Sequence, residues 1–316
     1  MTTRRPIRRL ALRDALNFAI CNRIPRRLAT LAMGRISRYE NRWFVAAGLA
    51  LWRRCGGLDL RDAERARYAS LQACFTRRLR PGARPVVGDP RRLVSPCDAI
   101  VGACGTIERG WLVQAKDSRY TLGDLLQDRE LAAGYENGCF ATLRLRAGMY
   151  HRFHAPHDCT VERIDYVAGD AWNVNPPALA RVQRLFCRNE RAVIRCRLAS
   201  GALITLVPVA AILVASIRLR FVDVRLHLRY RGPNRIACDA YLGKGEEMGW
   251  FEHGSTIIAL APAGTALCPG VRPGREIRMG EALMRLDAGA VTADGDDESA
   301  LRRSRRAPPS GPRRRC

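Results

Sequence analysis

Three of the chain's five histidines, His151, His154 and His157, fall within seven residues of one another. Imidazole titrates near neutral pH and can both accept and donate a proton, so a pair at this spacing suits proton traffic. Zinc is the rival use of clustered imidazoles, but only Asp158 and Cys159 stand close by, and neither is at a usual ligand spacing. No metal is assigned here. A second stretch is Gly254-Ser255-Thr256, which leads into Ile257-Ile258-Ala259-Leu260. Glycine permits positive φ and isoleucine prefers the pleated sheet, so the stretch reads as a tight turn feeding a strand. If that turn strains the Gly254-Ser255 bond and a base stands near the Ser255 hydroxyl, the oxygen can attack the Gly254 carbonyl, converting amide to ester. Elimination across Cα–Cβ of residue 255 would then break the chain and leave a pyruvoyl group. Taken by itself, the triplet reads as an ordinary loop before a strand. The third feature is Asp98 in Ser95-Pro96-Cys97-Asp98-Ala99, which in isolation reads as a turn or capping acid.

Strands and helices must bring these distant groups together. Residues 1 to 55 carry apolar positions every third or fourth place with arginines between them, the pattern of amphipathic helices. The densest run, Trp43 to Trp52, is flanked by Arg42 and Arg53-Arg54. Ten helical residues reach about 15 Å, half of a hydrocarbon core of about 30 Å, so the run lies in an interface or packs on the core without spanning. Pro81-Gly82 and Pro85 mark a connector. Trp111 to Lys116 alternates like a strand, and Thr121 or Asp124 caps a following helix. Leu185 to Arg191 reads as a polar turn in which Asn189 and Glu190 fix loop geometry. Gly201 to Ile217 is apolar and rich in β-branched residues, and Pro208 divides it into two buried strands or bends one. The expected fold is α+β: N-terminal amphipathic helices followed by a mainly antiparallel, β-rich catalytic core. Residues 1–70 form the basic helical region, 71–288 the catalytic domain, and 289–316 a charged tail expected to be disordered.

Composition narrows the partners. The 316 residues carry a formal net charge of +24. Residues 1 to 40 hold ten arginines against Asp14 and Glu40, and seven more follow Leu301 without an acid. Such ends suit an anionic partner, lipid phosphate or nucleic acid. No zinc finger, helix-turn-helix signature or pair of stacking aromatics on a sheet supports nucleic acid. The twelve cysteines include no C-x-x-C pair, so reduced thiols in the cytosol are expected, and the run Ala15 to Cys21 lacks the cleavage site of a signal peptide.

Taken in order, several stretches resemble the phosphatidylserine decarboxylases. Lys244-Gly245-Glu246-Glu247-Met248-Gly249 followed by Gly254-Ser255-Thr256 is similar to the family's self-cleavage site, with His253 where leucine is usual. Tyr150-His151-Arg152-Phe153-His154-Ala155-Pro156 matches its Tyr-His-Arg-x-His-x-Pro, and Ser95 to Asp98 its Ser-Pro-Ala-Asp, with Ala99 in place of glycine. Phe75 to Pro85, Leu112 to Leu126 and Leu185 to Arg191 resemble further family segments. Val209 to Ile217 resembles another, with Ala210 and Ala215 replacing glycines. The resemblance covers roughly residues 24 to 287.

It implies self-cleavage between Gly254 and Ser255, with residue 255 becoming a covalent pyruvoyl cofactor that decarboxylates phosphatidylserine to phosphatidylethanolamine through a Schiff base. Asp98, hydrogen-bonded to His154, would hold the imidazole in the tautomer that takes the Ser255 proton, and His151 would reprotonate the product. Tyr150, His157 and His253 are alternatives for that last step. The cleaved chains would stay associated, a homodimer is admitted, and the protein would be peripheral on the cytoplasmic face of the cell membrane, bound to its anionic surface. Two other readings remain: a serine hydrolase using Ser255, His154 and Asp98 without cleavage, and a basic nucleic-acid-binding protein.

Overall fold

The structure, a computed structural model, describes residues 25–115, 118–212, 216–252 and 255–287. The run Ala15 to Cys21, Asp117, Ala215, His253, Gly254 and the charged tail lie outside the described residues.

Two amphipathic helices come first. Helix α1 (Arg26–Ile36) is tied to the core by Arg26, which pairs with Asp170 at 2.5 Å and lies over the Trp172 ring at 3.7 Å. Helix α2 (Arg42–Gly56) starts where the Asn41 side chain accepts from the Trp43 and Phe44 amides, each at 3.0 Å, and stops at Gly57, whose φ of 64° suits glycine. Val45 and Leu49 on its inner face pack with Cys74 of α3 (Leu71–Phe75). The run expected over Trp43 to Trp52 is thus a longer helix of 15 residues. No helix among the described residues is long and apolar enough to cross a membrane.

Alternation then decides the architecture. In β14 (Ser255–Ala261), Ile257, Ala259 and Ala261 belong to one apolar cluster, and Ile258 and Leu260 to another. Successive strand residues face opposite sides, so such a strand must lie inside a sheet covered on both faces. It lies between β5 (Cys139–Arg144) and β9 (Leu203–Ala210) in an eight-stranded antiparallel sheet. Beyond β9 come β8 (Arg191–Arg197), β7 (Cys159–Val167) and the edge strand β12 (Arg235–Leu242). Beyond β5 come β2 (Ala99–Thr106) and β16 (Glu276–Ile277).

The first cluster is closed by a four-stranded sheet, in the order β11 (Val224–His227), β10 (Ser216–Leu219), β13 (Glu247–Phe251), β6 (Arg152–His154). That sheet contributes Phe153, Ile217, Leu226, Met248 and Phe251. A three-stranded sheet, β1 (Arg92–Val94), β17 (Ala282–Leu286), β15 (Thr265–Leu267), adds Leu93 and Met284. The second cluster is closed by the hairpin β3 (Trp111–Ala115), β4 (Ser118–Thr121) and by four short helices: α4 (Leu122–Leu126), α5 (Arg129–Ala133), α6 (Pro176–Arg181) and α7 (Leu185–Arg188). Of the two caps offered for α4, Thr121 serves, accepting from the Asp124 amide at 3.0 Å.

The expected α+β class, with N-terminal helices and an antiparallel core, is what the chain adopts. The two buried strands expected over Gly201 to Ile217 are present as β9 and the start of β10, but the division is not at Pro208: β9 runs through it. Proline offers no N–H, and the β8–β9 pairing lapses between Arg191↔Val209 and Ile194↔Leu206, where Pro208 falls. The chain leaves the strand only after Ala210.

Candidate active site

The segment 252–254 is where the chain passes from the four-stranded sheet into the eight-stranded one. It is pinned at both ends. Before it, the Phe251 amide donates to the His151 carbonyl at 3.0 Å, and Glu252 pairs with Arg225 and, at 3.1 Å, with Arg38. After it, Ser255 opposes Ala210 of β9, and Thr256 opposes Arg144 of β5. Asn189, fully buried, holds the Ala210 carbonyl from its Nδ2 at 2.8 Å and exchanges bonds with the Trp172 backbone at 2.8 and 2.9 Å. The loop role read for Asn189 is thus the support of the residue opposite Ser255.

The histidine-bearing strand β6 is antiparallel to β13, with His154 opposite Glu247. Arg152 locks this pair. Its guanidinium meets Glu247 at 2.7 Å, donates to the Thr76 carbonyl at 2.7 Å, and lies over the Trp250 ring at 4.8 Å. His154 is 7 % exposed. Its Nδ1 donates to the Gly245 carbonyl at 2.9 Å, since a carbonyl can only accept, and Nε2 is left to accept from the Tyr150 hydroxyl at 3.0 Å. Burial lowers the His154 pKa below 6.5, outweighing the Gly245 bond and the Glu247 and Asp98 charges that raise it, so the ring is neutral at neutral pH. Gly245 itself has φ 82°, and a Cβ there would stand 2.7 Å from a Val86 methyl, so the turn that aims its carbonyl requires glycine.

The hydrogen bond expected between Asp98 and His154 is not formed, and this corrects the reading of that pair. Asp98 is held instead by Arg84, at 2.6 Å from Nη2 and 2.9 Å from Nε, and by the Met279 amide at 2.9 Å. Arg84 turns its remaining nitrogen to Asp62 at 2.8 Å. A planar guanidinium matches a carboxylate edge with two parallel bonds, a stronger claim on Asp98 than a neutral imidazole makes. Asp98 acts on His154 through space as a nearby negative charge. Arg84 was visible in the segment Phe75 to Pro85, but nothing in the sequence paired it with Asp98.

His151 is fully buried and stacked on Phe75, with ring centroids 3.9 Å apart, and Phe75 stacks in turn on Trp52 of α2 at 5.6 Å. Its Nε2 faces the Arg146 and Ala147 carbonyls at 3.1 and 3.2 Å and therefore donates. His157 is not part of this group: it bonds the Pro90 carbonyl at 2.7 Å and the Asp158 carbonyl at 3.2 Å. The structure thus joins Tyr150 to His154 by a hydrogen bond and sets His151 against Phe251, the last residue of β13, with Asp98 electrostatically in range of His154. A cavity of about 540 Å³ opens there, reached by Asp98, Arg84 and Tyr150.

A neutral buried imidazole that accepts from a phenol is a group able to take up a proton. A family model described as phosphatidylserine decarboxylase matches residues 71–285. A phosphatidylserine decarboxylase proenzyme of Halorhodospira halophila (strain DSM 244 / SL1) is 38 % identical over 281 residues, 86 % of this chain and 94 % of that protein. The proenzyme of the same name from Herminiimonas arsenicoxydans is 37 % identical over 271 residues, 84 % of this chain and 89 % of its own. One from Xanthomonas campestris pv. campestris (strain B100) is 37 % identical over 239 residues, covering 72 % and 83 %. The chain belongs to the phosphatidylserine decarboxylase family, a family of lyases, and neither the uncleaved hydrolase nor the nucleic-acid reading is favoured.

Proposed function

We propose that the protein is a phosphatidylserine decarboxylase that cleaves itself between Gly254 and Ser255. The observation that carries this reading is the family match over 71–285, which contains the processing segment and the histidine strand together. The Ser255 hydroxyl attacks the Gly254 carbonyl, its proton passes by way of the Tyr150 hydroxyl to Nε2 of His154, the acceptor in that pair, and the C–N bond of the peptide breaks as the nitrogen of residue 255 takes that proton and leaves as an amine. In the ester so formed, loss of the Cα proton of residue 255 breaks Cβ–O and releases Gly254 as a carboxylate. Water then hydrolyses the dehydroalanine to a pyruvoyl group and ammonia.

The chain fits that group. Residue 255 is the first of β14, so the break severs no strand, and β14 stays clamped between β5 and β9 while β17 stays paired with β1. Both fragments therefore remain associated. When in place, the pyruvoyl ketone supplies an electron sink for loss of carbon dioxide from the serine head group. His151, stacked on Phe75, is taken as the acid that returns a proton to the product, and the Asp98 charge favours the protonated imidazole at His154 as it forms.

Large apolar side chains are exposed on and between the first two helices: Leu28, Ile36, Tyr39, Trp43, Phe44 and Leu51. A patch of this kind beside arginines supports peripheral attachment to an anionic membrane, where the lipid substrate resides. Ten free cysteines among the described residues fit a reducing compartment and so the cytoplasmic face.

Denaturing electrophoresis with mass spectrometry tests the central claim. Wild type gives fragments 1–254 and 255–316, the smaller with a ketone in place of its amine, and Ser255→Ala gives one intact chain. A Ser255→Ala variant that still splits, or an active wild type that stays whole, refutes the reading.

A further inference from the structure

Helix α1 does not lie flush on the core. Between it and the β10–β11 hairpin is a cleft of about 320 Å³ whose walls carry Arg35, Arg38, Arg225, Arg229, His227 and the Glu252 carboxylate. Four arginines thus face one acid. Arg38 and Arg225 share Glu252, whereas Arg35 and Arg229, both exposed, have no carboxylate partner among the described residues. The 540 Å³ cavity near Asp98 is the opposite case. Its Arg77, Arg84, Arg146 and Arg278 face five carboxylates, and Arg84 and Arg146 are already paired with three of them. An anion entering from solvent therefore finds uncommitted guanidinium groups in the first space and few in the second.

Position points the same way. Glu252 stands two residues ahead of Gly254, and its amide donates to the Ser216 carbonyl at 3.2 Å, so the cleft adjoins the processing segment. Its other wall is the helix that carries the exposed Leu28 and Ile36. In a serine phospholipid only Cα, Cβ and the ester oxygen separate the reacting nitrogen from phosphorus, so the phosphate must be held close to residue 255. We propose that this cleft is an anion site for the phosphodiester of a glycerophospholipid, gripped by Arg35 and Arg229, with Arg38 and Arg225 fixed behind them by Glu252. Guanidinium presents paired donors to phosphate oxygens, which accounts for arginine at these positions. The identity of the lipid rests on the decarboxylase reading above; the presence of an anion site does not.

The experiment uses three forms of the mature full-length protein: wild type, Arg35→Gln/Arg229→Gln, and the charge-matched control Arg119→Gln/Arg129→Gln on other exposed arginines. Calorimetric titration with dihexanoylphosphatidylglycerol, below its micellar concentration, reads the site without activity. The cleft variant is expected to bind at least about tenfold more weakly, the loss of one or two charge-assisted contacts, while the control binds like wild type. Gly34→Leu gives a second variant that keeps every charge: Gly34 lines the cleft with open space above its Cα, so the new side chain occupies the cavity and should also weaken binding. Unchanged affinity in both cleft variants, equal loss in the control, or no binding by wild type overturns the site. Steady-state kinetics on dihexanoylphosphatidylserine identifies the source. A KM raised about tenfold with kcat retained assigns the cleft to the substrate's own head group, and an unchanged KM beside weakened phosphatidylglycerol binding assigns it to a second lipid. Binding as expected in a protein that makes no phosphatidylethanolamine would leave the site standing and sink the decarboxylase reading alone.

Discussion

The Tyr150 hydroxyl donates to Nε2 of His154 across 3.0 Å, while a backbone carbonyl, that of Gly245, fixes the other ring nitrogen at 2.9 Å. The tautomer usually set by a carboxylate is set here by the main chain. Tyr150→Phe removes the only side-chain partner of Nε2 among the described residues and interrupts the proposed path for the Ser255 proton. Self-cleavage of that variant, followed as fragment against time, should slow by roughly 10- to 100-fold, within the range of general-base assistance. Cleavage at the parent rate would reduce Tyr150 to a packing residue.

Processing should persist in mild acid. Burial holds the His154 pKa below 6.5, so the folded precursor keeps the ring neutral, and able to accept a proton, through pH 6.5. The cleavage rate should fall only at lower pH, with a midpoint below 6.5. The same shift fixes the sign of a stability effect. The unfolded chain binds the proton more readily, so this contribution is complete above pH 6.5 and is lost as pH falls below it. A rate profile with its midpoint at or above 6.5 would contradict the assignment of His154 as base.

Arg84 and Asp98 form an ion pair whose side chains are only 10 % and 11 % exposed. Removing one partner from such a pair leaves the other desolvated and uncompensated, which costs about 3 to 5 kcal/mol. Arg84→Ala, measured by urea unfolding in the uncleaved Ser255→Ala background, should lose an amount of that order. The double variant Arg84→Ala/Asp98→Ala should recover part of it. Equal losses in the two would mean that the pair is not the cause.

Glu190 is fully buried, and burial pushes its pKa up to about 8 from 4.5. Neither carboxyl oxygen has a hydrogen-bond partner among the described residues, and the nearby Tyr166 hydroxyl is committed to the His227 carbonyl at 3.2 Å. The folded state holds this proton more tightly than the unfolded chain, so its contribution is complete below pH 4.5 and is lost as pH rises through 8. Glu190→Gln cannot ionise. In the Ser255→Ala background it should be more stable than its parent by on the order of 4 kcal/mol at pH 8, with the advantage gone near pH 4.5. A pH-independent difference would show that Glu190 does not titrate as described.

Trp43 and Leu51 of α2 leave most of their surface, 71 % and 63 %, open to solvent. Moving each from water into a lipid interface is worth about 2 kcal/mol. Trp43→Gln/Leu51→Gln should therefore bind phosphatidylglycerol vesicles at least about tenfold more weakly while self-cleaving like the parent. Unchanged sedimentation with vesicles would place the membrane contact elsewhere.

The sequence by itself determined the elements and the chemical inventory. Period-2 alternation marked the strand from Trp111, Thr121 or Asp124 marked a cap, arginine-spaced apolar residues marked the amphipathic helices, and the order of short motifs marked the family. These are local signals, set by sterics and by side-chain spacing within a few residues. What the fold alone decided was which groups meet. Arg84 reaches Asp98, Gly245 reaches His154 from 91 residues away, and Asn189 supports the strand residue that faces Ser255. Sheet register and loop closure set those meetings, through packing that involves every strand at once, and no local pattern records them. The carboxylate–imidazole bond expected from motif order therefore gave way to two separate pairings, each won by the stronger partner within reach.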